Sequence, residues 1–436
     1  MKLLKSIFLS VAMLSTSTLA IAQEAKEQYF PLLSYRVGPY GAGGAGFFGG
    51  VIDYFNLVNQ RGGVNGVKLV WEECETEYNT SRGVECYERL KNLHSKATIV
   101  DPMSTGIAYG ILERTVTDGV PLVTMGYGRS ESMNGEVFPN VFPLLATYWS
   151  AAAAMTQYLA DEVGGEDQLK DKKIVLLYHD SAYGKEPWPV LDAQSERIGF
   201  ELVKIAVSHP GNEQQSQWLQ IRQLKPDYVI LWGWGVMNTV ALRTAQRYGF
   251  PREKILGSWW AGSEEDVIPA GDAAKGYKSL ALNSPGNYAL LDEIREKLYG
   301  AGNGNLSSAS SIGSVYHLRG VTAAILWTEA MAAAQKKFGA DGPLTGEQMR
   351  WGLENLTITP ERQKELGVEG LFAPIKTSCQ NHEGAGAVKV QQWDGDKWVA
   401  VSSDWVKGDQ DLLAELVQKA SGSYAKEHNI TPECKS

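Results

Sequence analysis

Short apolar runs of strand length alternate with amphipathic segments of helix length along most of the chain. The first four runs predict strands at residues 29–37, 67–73, 97–100 and 120–125. The helices predicted between them span residues 47–60, 81–93 and 105–115. A second block repeats the pattern, with strands at 172–179, 200–208, 226–232 and 253–259 and helices at 185–198, 213–224 and 236–248. This alternation predicts βαβ units and parallel sheets that helices cover on both faces.

The two blocks predict an α/β protein with two doubly wound parallel-sheet lobes. From about residue 276 the pattern becomes helical, and a late segment carries Asp394-Gly395, a hairpin signal, before a last helix at 409–419. No low-complexity linker separates the blocks, so we expect several short crossings between the lobes. The expected lobes are residues 23–144 with 278–385, and residues 145–277 with 386–436.

The N-terminus has the pattern of a secretory signal peptide. Lys2 and Lys5 precede an apolar stretch that ends in Ala20-Ile21-Ala22, a small-residue cleavage pattern. The stretch is shorter than the roughly 20 residues needed to span a bilayer, which disfavours a membrane anchor. No cysteine follows the cleavage site, so a lipid anchor is not expected. We therefore predict that residues 1–22 are removed and that a soluble, exported chain begins at Gln23.

The charge of the mature chain excludes some classes of partner. Removal of two lysines leaves 39 basic and 50 acidic residues, a formal charge of −11. An acidic surface repels phosphate backbones and acidic lipid headgroups. We therefore expect neither nucleic acid nor a membrane surface as a partner.

Four cysteines in an exported chain predict two disulfides, with three possible pairings. Cys74 and Cys86 flank a turn between a predicted strand and a predicted helix, and Cys379 and Cys434 would tie the tail to the body. We favour these two pairs over the other connectivities. No C-x-x-C motif is present and the six histidines are scattered, so we expect no metal site.

Hydroxyl-bearing, aromatic and glycine residues follow the ends of several predicted strands. In parallel sheets ligands bind beyond the carboxyl ends of the strands. Two such sets facing each other would enclose a small molecule. In the first block they are Ser104, Thr105, Gly126, Tyr127 and Gly128, and in the second they are Tyr183, Trp232, Trp234, Trp259 and Trp260.

Two further motifs have a structural explanation. Gly41-x-Gly43-x-x-Gly46 matches the dinucleotide fingerprint, but the next acidic residues lie too far along the chain for the ribose contact, and an exported protein meets little nicotinamide cofactor. We expect instead that these glycines expose backbone N–H groups at a helix N-terminus, where an anion can be held. The run Glu264-Glu265-Asp266 is typical of a helix start and is favoured over a metal site. No catalytic motif occurs, so we expect no enzymatic activity and no cofactor.

Several of these stretches together resemble a known family. The segment "NLVNQRGGVNGVKLVWEECETEYNTSRGVECYERL" resembles the first helix, Gly-Gly turn and second strand of the leucine/isoleucine/valine-binding proteins, and Arg61–Gly66 is its most specific part. The segments "DPMSTGIAYGI", "VPLVTMGYGRSES", "LYHDSAYGKEP" and "TAQRYGFPREKILGSWW" continue the resemblance in order. It implies a type I bilobed fold with a hinge, a periplasmic location, a small-molecule ligand and an ABC transporter membrane permease as partner. We expect the protein to be a monomer.

The resemblance also implies ligand-binding residues. Ser104, Thr105, Gly126 and Gly128 would line the wall of the first lobe, and Tyr183, Trp232 and Trp234 that of the second. Tyr40 lies in the first-strand turn that usually touches ligand, although this turn is longer and richer in glycine here. Amino-acid binders of the family place an acid after the last second-lobe strand, where this chain has Trp259 and Trp260.

That departure guides the functional hypotheses. Aromatic walls without a carboxylate favour an apolar, preferably aromatic, carboxylate over an α-amino acid. Branched-chain or aromatic amino acids remain the alternative within the same transport class. A ligand-sensing subunit and a secreted enzyme on a two-lobed scaffold are the alternatives from other classes.

Overall fold

A computed structural model describes residues 26–340 and 342–434 of the chain. The predicted signal peptide, residues 1–22, lies outside the described residues. No helix in the described part of the chain has the length and apolar character needed to cross a membrane.

Strands and helices alternate as predicted, with shorter strands. The strands are β1 (Glu27–Leu32), β2 (Lys68–Glu73), β3 (Leu122–Val123), β4 (Val141–Phe142), β5 (Lys173–His179), β6 (Glu201–Val207), β7 (Tyr228–Trp232), β8 (Ile255–Gly257), β9 (Lys278–Ala281), β10 (Thr357–Ile358), β11 (Ile375–Lys376), β12 (Lys389–Trp393) and β13 (Trp398–Ala400). The helices are α1 (Gly41–Gln60), α2 (Thr80–Leu90), α3 (Thr105–Asp118), α4 (Tyr148–Val163), α5 (Glu166–Leu169), α6 (Ala182–Lys185), α7 (Trp188–Ile198), α8 (Gln215–Leu224), α9 (Val236–Arg247), α10 (Glu264–Ala270), α11 (Ala289–Ile294), α12 (Val315–Phe338), α13 (Gly346–Glu354), α14 (Pro360–Glu365) and α15 (Gln410–Glu427).

The second lobe is built on a seven-stranded sheet in the order β13-β12-β9-β8-β7-β5-β6. Strands β5 to β9 pair in parallel, and the hairpin predicted at Asp394-Gly395 adds β12 and β13 in antiparallel fashion. Strand β9 is a correction to the predicted pattern, which treated this region as helical. Because β9 pairs with β8, residues 278–281 extend the sheet of the second lobe. The strand was missed because its four residues form no extended apolar run.

The first lobe contains short strands in separate two-stranded sheets, among them β1-β2 and β3-β4. Strand β1 pairs with β2 in parallel over its whole length, and β3 pairs in parallel with β4. The strand predicted at 97–100 is reduced to a single bridge between Val100 and Leu122, although its residues are buried. Helices α1 and α12 pack along each other beside these strands. Together the lobes confirm an α/β fold with a parallel-sheet core.

The glycine-rich segment after β1 does not form a turn before a helix, because α1 already begins at Gly41. Its glycines instead allow close helix packing. A Cβ at Gly46 would lie 2.7 Å from Tyr316 Cβ, and one at Gly50 would lie 2.3 Å from the carbonyl oxygen of His317. On the facing helix, a Cβ at Gly320 would lie 1.9 Å from the Phe47 carbonyl oxygen. The glycines therefore hold α12, and the residues it carries, against the first lobe.

The two favoured disulfides are present. Cys74 bonds to Cys86, and Cys379 bonds to Cys434, which ties the segment after α15 to the body. Among the described residues no free cysteine remains. The short spacing of the first pair and the position of the second near the C-terminus were sufficient to choose between the three connectivities.

Candidate functional site

A narrow cavity with only about 10 Å³ of space, room for about one water molecule, lies where the strand ends of the two lobes meet. We call it the central cavity. Six of its eight lining residues are aromatic, and none carries a charge. The first lobe contributes Tyr78, Met103, Thr105 and Tyr127, and the second contributes Tyr148, Tyr183, Trp234 and Trp260.

The hydroxyl groups of the central cavity are largely engaged with the protein itself. The Tyr183 hydroxyl donates to the carbonyl oxygen of Gly233 at 2.9 Å and lies 2.9 Å from Ser258 Oγ. The hydroxyls of Tyr148 and Thr105 lie 3.4 Å apart across the two lobes. These bonds orient the rings, so that the cavity presents aromatic surface more than free hydroxyl groups.

Tyr127 is held by a buried acid behind the cavity wall. Its hydroxyl donates to Asp101 Oδ1 at 2.6 Å and accepts from the backbone N–H of Met103 at 2.8 Å. Burial raises the pKa of Asp101 to about 7, while the bonds from Tyr127 and Met103 oppose that rise. Asp101 therefore positions Tyr127 and does not itself line the cavity.

Trp259 and Trp260 bond to the opposite lobe. Both indole N–H groups donate to the carbonyl oxygen of Gly126, at 2.9 Å and 3.1 Å. Trp260 lines the central cavity, whereas Trp259 is fully buried and stacks on Tyr148 with ring centres 6.1 Å apart. The structure thus brings three predicted site residues together as a bridge across the cleft.

Tyr40 and Trp234 form a second aromatic contact between the lobes. Their rings stack 6.1 Å apart and 6° from parallel, and the Tyr40 hydroxyl lies 3.0 Å from His179 Nε2. Tyr40 borders two larger cavities of about 320 and 280 Å³ next to the central one. The stack therefore separates the central cavity from wider spaces at the edge of the cleft.

The remaining predicted residues support the cavity from behind. Ser104 accepts from the backbone N–H of Ile107 at 3.4 Å and caps α3. The backbone N–H of Gly128 donates to Thr105 Oγ1 at 3.3 Å. Trp232 is fully buried beside Tyr148 and Tyr183, at 5.6 and 6.1 Å between ring centres. None of Ser104, Gly128 and Trp232 is among the residues that line the central cavity.

The acidic run Glu264-Glu265-Asp266 starts α10, as predicted. Ser263 and Asp266 form a capping box, and burial raises the pKa of Asp266 to about 7. Glu264 accepts from the backbone N–H of Val315 on α12 at 2.9 Å, which links the two lobes. These acids do not line the central cavity.

A further polar contact joins the lobes at Glu186. Its carboxylate accepts from the Ser130 hydroxyl at 2.7 Å and from the Tyr109 hydroxyl. Burial, followed by the nearby charge of Glu131, raises the pKa of Glu186 to about 7. Glu186 therefore forms a buried polar contact with two residues of the first lobe.

Four important residues were not predicted from the sequence. Tyr78 follows the end of β2, and Met103 follows Val100, which forms a bridge to β3. Both could have been found by looking for side chains just beyond the carboxyl ends of parallel strands. Tyr148 begins α4 immediately after the first crossing. Arg319 is fully buried on α12, where a single arginine in the apolar run "LRGVTAAILW" was the available signal.

Comparisons with known proteins agree with this architecture. Residues 27–397 match the family model described as periplasmic binding protein. A solved structure from the Pseudomonas fluorescens group, described as an ABC transporter permease, is 45% identical over 94% of this chain and 100% of that one, with a TM-score of 0.88. A comparison with curated proteins found no match.

Two more distant structures share the fold. A branched-chain amino acid ABC transporter protein from Thermus thermophilus with bound valine is 20% identical, covering 90% of this chain and 98% of that one, with a TM-score of 0.73. A solute-binding protein of an ABC transporter from R. palustris in complex with benzoate is 18% identical, covering 88% and 98%, with a TM-score of 0.69. The family match spans both lobes and the cleft between them, and this chain therefore belongs to the periplasmic binding protein family, as its resemblance to the leucine/isoleucine/valine-binding proteins implied.

Proposed function

We propose that this protein captures a small apolar carboxylate, preferably an aromatic one, between its lobes and delivers it to an ABC transporter permease. The observation that carries the proposal is the central cavity, whose walls combine six aromatic rings with no charged side chain. Flat rings are bound through burial of apolar area and through ring stacking, which is worth about 0.5–1.5 kcal/mol per pair.

An α-amino acid is the weaker candidate. Its ammonium needs a carboxylate or several acceptors, and a buried ammonium without a partner is costly. The lining residues offer aromatic faces for a cation–π contact but no acid. The unpaired indole N–H of Trp234, by contrast, is a donor that suits a ligand carboxylate. The relatives described with valine and with benzoate share only the fold with this chain. The choice between an apolar carboxylate and an α-amino acid therefore depends on the residues that line the central cavity.

Capture requires opening and closing of the cleft. The proposed lobes are residues 23–144 with 282–385, and residues 145–281 with 386–436, joined by a hinge. The bonds from Trp259 and Trp260 to Gly126 join the two lobes and so favour the closed state. A ligand that contacts both lobes adds to this preference, because it shifts the equilibrium by its differential affinity for the two states.

The proposed setting is the periplasm, where the chain acts as a soluble monomer after removal of its signal peptide. It binds and releases its ligand without chemical change. An acidic surface is compatible with this role, since neither nucleic acid nor lipid is a required partner.

Calorimetric titration tests the ligand class. Benzoate- and phenylacetate-type acids should bind more tightly than leucine, valine and phenylalanine. Tight binding of leucine with no heat from any aromatic acid would assign the protein to amino-acid uptake instead.

A further inference from the structure

Arg319 occupies an unusual position on α12. This helix packs along α1 in the first lobe, yet the Arg319 guanidinium reaches the other side of the cleft. Its Nη2 donates to the carbonyl oxygen of Trp259 at 3.0 Å, and its Cζ lies 4.3 Å from the ring centre of Trp260. Trp260 lines the central cavity, so one indole ring separates this cation from the proposed ligand space.

Most of the donors of Arg319 have no partner. Its side chain is fully buried, and both Nε and Nη1 lack a hydrogen-bond partner. These two nitrogens carry three N–H groups, each of which is expensive to bury unpaired. Arginine remains protonated under these conditions, because burial lowers its pKa only to about 10. The result is a buried cation beside the cleft with three N–H groups that lack an acceptor.

Three acids, Glu264, Glu265 and Asp266, lie near enough for electrostatic interaction with Arg319. Glu264 accepts from the backbone of Val315 and Asp266 accepts from Ser263 and Asn238, whereas Glu265 Oε2 has no hydrogen-bond partner. Among the described residues no carboxylate oxygen forms an ion pair with Arg319. These acids offset part of the charge of Arg319, but its three unpaired N–H groups lack a direct acceptor, which an anionic group of a ligand would supply.

The charge of Arg319 acts on the central cavity. It is among the groups that influence the pKa of the Tyr183 hydroxyl, and Tyr148 is among those that influence the pKa of Arg319 itself. Both tyrosines line the cavity. Three groups lie against the guanidinium, namely the Trp259 carbonyl, the Trp260 ring and the Tyr316 ring at 5.4 Å from Cζ. The first two belong to the second lobe, so separation of the lobes opens that side of Arg319 to an entering ligand.

We propose that Arg319 is the cation that binds the anionic group of the ligand, so that the cleft selects anions over neutral molecules of the same shape. This inference rests on the proposed function and deepens it by naming the residue that holds the carboxylate and makes its charge a requirement for binding. In the open cleft the unpaired N–H groups receive the anionic group, and the aromatic rings then close over the apolar body.

Matched acids and amides test the proposal. Binding of benzoate against benzamide, phenylacetate against phenylacetamide and 4-methylpentanoate against its amide is measured by calorimetry. The proteins are the wild type, R319M, R319K and the control R243Q, which removes an exposed arginine from a neighbouring cavity. Circular dichroism establishes that each variant is folded.

The wild type should bind each acid at least about 30-fold more tightly than its amide, because losing one partner of a buried charged hydrogen bond costs this much or more. R319M should abolish the preference while binding the amides as before, R319K should retain part of it, and R243Q should leave it unchanged. An unchanged acid-to-amide ratio in R319M would overturn the role of Arg319 and leave the proposed function standing. If R319M does not fold, the wild-type protein still provides a test, because an acid-to-amide affinity ratio near one overturns the role of Arg319. A wild-type protein that binds no acid overturns both this role and the proposed function.

Discussion

The indole N–H of Trp259 donates to the carbonyl oxygen of Gly126 at 2.9 Å, across the boundary between the two lobes. Trp260 donates to the same oxygen at 3.1 Å. One carbonyl thus accepts two indoles that adjoin in sequence, and its two lone pairs are sufficient for both. The tryptophan pair that replaces the acid of amino-acid binders therefore also joins the lobes in the closed arrangement.

Replacement of Trp259 by phenylalanine should weaken ligand binding. The variant keeps a buried ring against Tyr148 but loses one hydrogen bond of the closed state, worth about 1 kcal/mol. We expect an affinity reduced roughly fivefold. Small-angle scattering at saturating ligand should show the same compaction as the wild type, since Trp260 still reaches Gly126.

Trp232→Phe is the matched control, because the Trp232 indole N–H is buried without any hydrogen-bond partner. It loses a similar ring volume and no bond between the lobes. Equal losses of affinity in W232F and W259F would show that ring volume, and not the bond to Gly126, supports closure.

Ligand affinity should decrease as the pH rises from about 4.5 to about 7. Burial in the closed cleft raises the pKa of Glu186 from 4.5 to about 7, while in the open cleft water restores the lower value. Closure therefore takes up a proton between these two pH values, which favours the closed state at the acidic end. Since one pKa unit corresponds to a tenfold change in an equilibrium constant, we expect the affinity to fall by up to about a hundredfold over this window, measured by calorimetry at several pH values.

Glu186→Gln should flatten this pH dependence, because glutamine keeps an acceptor for Ser130 and Tyr109 but takes up no proton. The exposed Glu85→Gln variant should follow the wild-type curve. A slope in E186Q as steep as that of the wild type would assign the effect to other buried acids.

Alanine at Gly50 should destabilise the fold. Its Cβ would lie 2.3 Å from the His317 carbonyl oxygen, and relief of that overlap must push α12 away from α1. A loss of about 1–3 kcal/mol in the free energy of unfolding is expected from urea titration.

Alanine at Gly422 in α15 should instead increase the free energy of unfolding. A Cβ there meets no atom within 4 Å, so alanine adds helix propensity of up to about 1 kcal/mol. If G50A proves as stable as G422A, close packing between α1 and α12 does not explain the glycines.

Intact-mass measurement of exported protein should give a chain that starts at Gln23 and contains two disulfides. The disulfides Cys74–Cys86 and Cys379–Cys434 leave no thiol to alkylate before reduction. A retained N-terminus would contradict the predicted cleavage, and alkylation of four thiols without reduction would contradict the pairing.

Local patterns were sufficient for much of the fold. Strand β5 and helix α9 lie within one residue of their predicted bounds, because a buried strand and an amphipathic helix each have a characteristic apolar period. The start of α1 was missed because glycine has low intrinsic helix propensity, which the packing against α12 overrides. Such an override depends on a helix more than 250 residues further along the chain.

The sequence by itself determined that this is an α/β protein with two related blocks, two disulfides and aromatic residues at the strand ends. Each of these follows from residue type and spacing within a short window. Only the tertiary structure decided that Trp260 lines the cavity while Trp259 lies behind it, and that Gly126 serves both. It also brought Arg319 beside Trp260. These relationships join residues far apart in the chain, and the contacts between the two lobes, which no local pattern encodes, set their geometry.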